Sequence, residues 1–211
     1  MTSTAEITEK YIENHPSIKD CLKKELLNYT QLSKLIAKEL EIRNKTSIEA
    51  IQIAARRYIR KIKSEDINED KIIEILKQSE LEIKNKVVTI VIEKLYYPEK
   101  LIEIELKIKK NKDLFYSIEG SNAITIVTNE KYFEEIKKLF SKNLLETHKN
   151  LILIKLKSPK IIEKVPGIAG FIYSKFAENG VNIIETMSCW TDNLFIIEED
   201  HLSEVMGFLK F

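Results

Sequence analysis

Residues 164–185 read KVPGIAGFIYSKFAENGVNIIE and combine a Pro-Gly turn, an amphipathic segment, an Asn-Gly stop and an apolar run. Pro166 restricts its own φ and Gly167 has no Cβ, so the backbone can turn sharply here and approach a bound molecule closely. The amphipathic segment has the period of a helix, and the apolar run has the composition of a strand. This stretch therefore predicts a helix that begins at a glycine turn and leads into a strand.

The same order of elements occurs twice along the chain. Residues 81–157 follow the pattern strand, helix, strand, strand, helix, strand, and from residue 151 the order begins again and stops before a last strand. The apolar run at 150–157 therefore serves both copies, or the sheet is completed elsewhere. Small antiparallel sheets with helices on one face place the chain in the α+β class.

Residues 16–63 have helical periodicity broken by two short polar turns, which predicts three short helices around one small core. Asn28 with Gln31, and Thr46 with Glu49, have the spacing of helix caps. An acidic connector with enough apolar periodicity for another helix follows this region. The predicted domains are a helix-turn-helix-like domain at 1–63, a helical linker at 64–80, and two α+β domains at 81–150 and 151–211.

The C-terminal part of the chain combines Pro-Gly-Ile-Ala-Gly at 166–170, a helix, ENGVNI at 178–183, and a polar Asp-Asn turn at 192–193 before a terminal helix that ends in Phe. With this pattern, residues 158–211 resemble the C-terminal regulatory ACT domain of aspartokinases. Residues 81–157 resemble a divergent first ACT copy, with YYPEKLIEI in place of the Pro-Gly turn. The resemblance implies tandem ferredoxin-like ACT domains (βαββαβ) that share or exchange strands, preceded by a small three-helix domain.

The resemblance also implies binding of a small effector, commonly an amino acid, and pairing of ACT units into a homodimer. Local chemistry agrees, because the backbone N–H groups at a helix start suit an α-carboxylate. Asn182 and the Asp-Asn turn supply acceptors for an α-ammonium group. The candidate ligand-binding residues are Gly167, Ile168, Ala169, Gly170, Asn182, Ile183, Asp192 and Asn193. The alternative is that the Pro-Gly turn only starts a helix close against the sheet and binds nothing.

Two departures from the family pattern restrict this expectation. Cys189-Trp190 replace smaller polar residues common at this turn in the aspartokinase relatives, so lysine and threonine are not assumed as ligands. Trp190 either walls a pocket or packs in a dimer interface. The first copy lacks a glycine for close backbone approach at the corresponding loop. We therefore expect that copy to have a packing role only, with no ligand beside Pro98.

The third predicted helix carries the one strongly basic cluster of the chain. Its outer face combines Arg and Gln, which read base edges, with Lys, which holds phosphates, and a dimer presents two such helices to a two-fold site. The candidate DNA-binding residues are Thr46, Gln52, Arg56, Arg57, Arg60, Lys61 and Lys63. The alternative is a solvated helix whose basic end suits the helix dipole.

Composition and missing motifs argue against several other classes. The 34 Lys+Arg and 33 Asp+Glu nearly cancel, so no global field attracts the chain to a membrane or a nucleic acid. An N-terminus without a signal segment and two distant cysteines predict a cytoplasmic protein. The chain has no phosphate-cradling glycine loop and no nucleophile motif, and its three histidines are isolated. We therefore expect no enzyme activity, no cofactor and no metal.

These patterns together predict a dimeric regulator of amino-acid metabolism. Its ACT domains bind an amino acid or a similar small effector, and its helical head binds double-stranded DNA. The alternative is a regulatory subunit that does not bind DNA and acts on a biosynthetic enzyme through protein–protein contact. A third interpretation, an enzyme of unknown type, has only the resemblance to an enzyme's sensor in its favour.

Overall fold

The computed structural model of the chain describes residues 3–62, 69–94 and 99–210. The chain forms two compact units, residues 1–67 and residues 68–211, called here the helical unit and the sheet unit. The predicted positions Lys63 and Pro98, and the first part of the predicted linker, lie outside the described residues.

Four helices form the described part of the helical unit: α1 (Thr4–Glu13), α2 (Pro16–Lys23), α3 (Tyr29–Glu39) and α4 (Ile48–Ile62). The last three correspond to the three predicted helices, and α1 precedes them as an additional one. A capping box starts α1, because the side chains of Ser3 and Glu6 each accept a hydrogen bond from the other residue's N–H. Tyr11 and Ile12 of α1 are buried in the same apolar cluster as Ile51 of α4. The helical core is therefore built by α1 together with the predicted helices.

Two predicted helix caps had different outcomes. Asn28 caps α3 through its side-chain oxygen, as predicted. The predicted cap of α4 at Thr46 is wrong, because the hydroxyl of Ser47 accepts a hydrogen bond from the N–H of Ala50 at 3.1 Å. The hydroxyl of Thr46 lies 2.9 Å from that of Thr4. Thr46 therefore ties the start of α1 to the α3–α4 connection.

The sheet unit begins with a helix and then contains two runs of strands and helices. Its first elements are α5 (Glu69–Lys77), β1 (Glu80–Glu93), α6 (Glu99–Lys110), β2 (Phe115–Glu119), β3 (Ala123–Asn129) and α7 (Phe133–Leu139). The later elements are β4 (Leu144–Lys157), α8 (Ile168–Glu178), β5 (Glu185–Cys189), β6 (Asp192–Glu198) and α9 (Leu202–Phe208). Among the described helices, none combines the length and the apolar character needed to cross a bilayer.

The six strands form one antiparallel sheet in the order β2-β3-β1-β4-β6-β5. Strands β1 and β4 pair along both of their halves: residues 80–84 lie opposite 153–157, and residues 87–92 lie opposite 144–151. The start of β1 therefore supplies the strand that the second copy lacks, and β4 serves both copies. The prediction of shared or exchanged strands is confirmed.

Each long strand passes from one copy to the other at a residue in the left-handed conformation. Lys86 in β1 has φ 54° and Asn150 in β4 has φ 56°. The β1–β4 register shifts between Lys84 and Val87, beside the first of these residues. Such irregularities bend a strand and change its direction, so one strand can serve two half-sheets.

Helices cover one face of each half of the sheet, because alternate strand residues on that face are apolar. In the first copy, Val88 and Ile90 of β1 pack with α6 and α7. In the second copy, Ile152 and Ile154 of β4 pack with α5, α8 and α9. The opposite face contributes to one further buried cluster from both copies, made of Val87, Leu114, Val127, Leu151, Leu153, Leu194 and Ile196. The sheet unit thus has the predicted α+β architecture.

Candidate ligand-binding site at the start of α8

The loop before α8 presents three backbone donors. Gly167 precedes the helix with φ 95° and ψ −11°, a left-handed conformation that favours glycine. The first helical hydrogen bond runs from the N–H of Phe171 to the carbonyl of Gly167 at 2.8 Å. Within the described residues, the N–H groups of Ile168, Ala169 and Gly170 donate to no protein acceptor. Free N–H groups at a helix start attract anions, so this loop suits a carboxylate.

A surface cavity of ≈ 420 Å³ lies against this loop. The start of α8 lines it with Gly167, Ile168 and Ala169, and the β5–β6 hairpin lines it with Ser188, Trp190 and Asn193. The connection between β4 and α8 adds Ile162, Glu163 and Val165. The lining is therefore largely apolar, with a few polar groups that converge on the helix start.

Asn193 is the most unusual residue of this lining. It is only 9% exposed. In the sheet register it lies opposite Leu156 of β4 and Ser188 of β5, so its side chain shares the face covered by the helices. The side chain of Asn193 makes no hydrogen bond to the described residues. In those residues, every fully buried side-chain N or O atom has a hydrogen-bond partner, so the amide atoms of Asn193 are not fully buried. The amide of Asn193 therefore keeps its contact with the cavity, and it offers one acceptor and one donor group.

Trp190 lies at the mouth of the cavity with 59% of its surface exposed. It occupies the first position of the two-residue β5–β6 turn with φ 52°, where glycine is favoured. The ammonium nitrogen of Lys160 lies 5.2 Å from the centroid of its ring. Among the described residues, Glu163 is the one charged side chain in the lining. A cation therefore lies near the indole ring, and a carboxylate belongs to the same cavity lining.

The structure gathers some of the predicted ligand-binding residues and separates others. Gly167, Ile168, Ala169 and Asn193 line one cavity, whereas Gly170 and Asp192 do not line it. Asn182 and Ile183 line a different cavity of ≈ 340 Å³ beside Tyr173 of α8, and they precede β5 rather than lying in it.

Sequence reasoning did not select Ser188, Glu163 or Ile162 as ligand-binding residues. Ser188 is the cross-strand partner of Asn193, a relation that depends on the hairpin register. Glu163 and Ile162 lie in a short turn of 3-10 helix, residues Lys160–Lys164, which has no apolar periodicity to identify it. Only the Pro-Gly turn two residues later signalled that this connection approaches a binding site.

The two copies share a backbone hydrogen bond at the end of the sheet that carries the β2–β3 and β5–β6 turns. In the first copy, the N–H of Lys94 after β1 donates to the carbonyl of Asn122 at 3.0 Å. In the second copy, the N–H of Ser158 after β4 donates to the carbonyl of Thr191 at 2.9 Å. The same bond therefore joins the first strand to the same turn in both copies, which fixes the residue correspondence.

By this correspondence, the first copy has an apolar residue where the second copy has Asn193. Ile124 takes that position, is 4% exposed and packs in the apolar cluster under α6 and α7. Ser121 takes the turn position of Trp190. The loop that corresponds to the Pro-Gly turn, including Pro98, lies outside the described residues.

Four of the predicted DNA-binding side chains contact other residues of the helical unit. These contacts are Thr46 with Thr4, Gln52 with Thr30, Arg56 with the ring of Tyr29, and Lys61 with Glu9. Arg57 and Arg60 are exposed and have no such contact within the described residues, and Lys63 lies outside them. Arg57 and Arg60 are therefore the predicted cations that the described helix leaves available to a partner.

No protein-family model matches the chain, and no curated protein sequence matches it. Its fold is similar to that of aspartate kinase from Clostridium acetobutylicum, with 19% identity and a TM-score of 0.51 over 62% of this chain and 33% of that chain. It is also similar to aspartate kinase from Synechocystis, with 14% identity and a TM-score of 0.50 over 62% of this chain and 26% of that chain. The ligand-free regulatory subunit of aspartate kinase from Thermus thermophilus matches with 10% identity and a TM-score of 0.48, over 62% of this chain and 95% of that chain.

The chain thus has the fold of aspartokinase regulatory ACT domains, as the sequence resemblance implied. The matched part corresponds to only about one third of the Clostridium enzyme, at 33% of its length. The similarity therefore describes a regulatory fold and does not extend to the remainder of those enzymes.

Proposed function

We propose that the sheet unit is a sensor that binds a free amino acid at the start of α8, and that the chain regulates amino-acid metabolism in response. The observation that carries this proposal is Asn193, a 9% exposed amide that has no hydrogen-bond partner within the described residues and lines a cavity beside free helix N–H groups. The amide atoms of Asn193 stay accessible from the cavity, since no fully buried side-chain N or O atom of the described residues is without a partner. A ligand in the cavity can therefore form hydrogen bonds to this amide in place of water.

Both charged ends of an amino acid find partners in this cavity. The N–H groups of Ile168 and Ala169 receive the α-carboxylate at the positive end of α8. The side-chain oxygen of Asn193 and the carboxylate of Glu163 accept hydrogen bonds from the α-ammonium group. Gly167 adopts the left-handed conformation that turns the chain into α8 and directs these N–H groups outward. The cavity thereby favours a zwitterion over a simple anion or cation.

The regulatory part of the proposal is supported by the fold. The Clostridium enzyme with a similar fold is described as an allosteric enzyme for amino-acid production. We place this chain in a comparable regulatory role without catalysis of its own. Pairing of two copies through their ACT folds and an amino acid as the effector belong to the same proposal.

Thermal unfolding in the presence of each of the twenty amino acids tests the proposal. Selective stabilisation of about 2.7 kcal/mol is expected when the ligand is 100-fold above its dissociation constant. Gly167→Asp abolishes the stabilisation, because the new carboxylate occupies the helix N–H groups and repels the ligand carboxylate. Gly180→Asp is the matched control, since Gly180 also has positive φ, at 68°, but lies at the other end of α8. Loss of stabilisation in both variants, or no stabilisation by any amino acid, would contradict the proposal.

From its sequence and from the exposed Arg57 and Arg60, we propose that the helical unit binds double-stranded DNA. The similarities to known structures do not support DNA binding. If the unit binds double-stranded DNA, binding weakens as salt rises, and Arg57→Ala with Arg60→Ala lowers the slope of that dependence. Lys10→Ala on α1 is the control for each arginine substitution made singly, because this exposed lysine lies outside the predicted stripe and its loss removes the same single charge. Binding unchanged by the arginine substitutions favours the alternative output, contact with a biosynthetic enzyme.

A further inference from the structure

The lining of the α8 cavity also restricts the side chain of its ligand, and this inference rests on the proposed function. Once the helix N–H groups, Asn193 and Glu163 hold the two charged ends, the hydroxyl of Ser188 is the remaining polar group of the described lining, and the larger side chains of the wall are apolar. The apolar part of the wall includes Ile162, Val165 and the indole of Trp190. Apolar walls stabilise apolar ligand groups by removing them from water.

Packing within the chain does not account for Trp190. The residue is 59% exposed, so more than half of its surface is left unburied in the described fold. Its φ of 52° belongs to a conformation that bulky residues rarely adopt, and glycine at this turn position would relieve the strain. A large exposed ring held at an unfavourable backbone angle, at the mouth of a cavity, points to contact with a ligand.

The charges around the ring act against charged ligand side chains. The ammonium of Lys160 lies 5.2 Å from the centroid of the indole, so a cationic side chain at the ring meets a like charge. Glu163 in the lining repels an anionic side chain in the same way. Neither repulsion affects an uncharged side chain.

We propose that the effector is an amino acid with an uncharged, apolar side chain, aliphatic or aromatic, that lies against the ring of Trp190. Trp190 is then the residue that determines specificity, while the helix start and Asn193 hold the groups common to all amino acids.

Intrinsic fluorescence provides a direct test, because Trp190 is the single tryptophan of the chain. Titration with leucine and with phenylalanine changes the emission saturably, and lysine and aspartate bind at least about tenfold more weakly. In calorimetry, Trp190→Gly weakens the binding of leucine and phenylalanine about tenfold, whereas Trp190→Phe, which keeps an aromatic wall, stays within about threefold of the wild type. Trp190→Gly remains folded, because glycine suits the turn.

The possible failures separate this inference from the proposed function. If lysine or aspartate binds as tightly as leucine, and Asn193→Ile abolishes that binding, the sensor proposal holds and the inference about the side chain is wrong. Unchanged binding of leucine by Trp190→Gly also overturns the inference alone. If no amino acid binds the full chain, both fail.

Discussion

In the first copy, Ile124 packs into the apolar cluster under α6 and α7, whereas in the second copy Asn193 occupies the same register position and borders a cavity. The first position of the turn also differs between the copies: it is Ser121 in the first copy and the exposed Trp190 in the second. An apolar residue at the inner position is thus compatible with the fold. The amide of Asn193 is therefore not required for packing, and a ligand explains it better.

The largest expected effect comes from placing the polar residue at the apolar position of the first copy, where Ile124 is buried in the cluster under α6 and α7. Ile124→Asn should lower the free energy of unfolding by about 3–5 kcal/mol, because it removes a buried apolar side chain and buries an amide without a partner. Chemical denaturation measures this loss. Amino-acid binding by the second copy should persist in conditions where the variant is folded. A loss below about 1 kcal/mol would show that the first copy also accommodates a polar group.

The converse substitution, an apolar residue in place of Asn193, tests ligand binding by the second copy. Asn193→Ile should weaken amino-acid binding by at least about 100-fold, because an apolar group replaces the buried hydrogen-bonding partner of the ligand. Stability without ligand should be unchanged or higher, since Ile124 shows that the position accepts isoleucine. Calorimetric titration and unfolding of the same sample separate the two effects. Retained binding with normal stability would remove Asn193 from the site.

The two turns provide a smaller contrast. Trp190→Gly should stabilise the unliganded protein by about 0.5–1 kcal/mol, because it relieves the positive φ of a bulky residue at some cost in chain entropy. Ser121 does not have positive φ, so Ser121→Gly should be neutral or slightly destabilising. Thermal unfolding of both variants gives the comparison. Equal changes in stability for the two variants would show that the backbone of Trp190 is not strained.

The smallest expected effect concerns an ion pair that joins the shared strands. A hydrogen bond from Lys155 of β4, with a further one from Lys84, holds the pKa of the Glu82 carboxyl in β1 below its ordinary value, and the same contact raises the pKa of Lys155. Because the folded pKa of Glu82 is depressed, its stabilisation is present above the unfolded pKa and is lost as the pH falls through the folded value.

Glu82→Gln should therefore lower stability by less than about 1 kcal/mol at neutral pH, since the pair is partly exposed. The difference from the wild type should disappear in acid. Asp113→Asn offers a matched change in the first copy, where the Lys131 ammonium and the Tyr132 hydroxyl lower the pKa of Asp113. Unfolding curves between acid and neutral pH compare the two pairs. An effect of Glu82→Gln that is independent of pH would exclude the ionic explanation.

Local signals accounted for the parts of the site that lie close together in the sequence. Pro166 and Gly167 determine a sharp turn through their own backbone preferences, and the helical period after them predicts the free N–H groups of α8. The same reasoning placed Asn182 and Ile183 in the site, but the structure puts them beside another cavity. Helix α8 rises about 1.5 Å per residue, so residues after its C-terminus lie far from the loop at its start. Strand β5 returns the chain, and it brings Ser188 and Trp190 to the loop instead.

The sequence by itself determined the order of the elements from residue 16 onward, the α+β class and the glycine turn that opens α8, because these depend on periodicity and on the φ preferences of neighbouring residues. The tertiary structure alone decided which strand completes the second copy, which face of β6 carries Asn193, and that Trp190 reaches the cavity. These features depend on strand pairing between distant residues, and a shift of one residue in register would move every side chain to the opposite face.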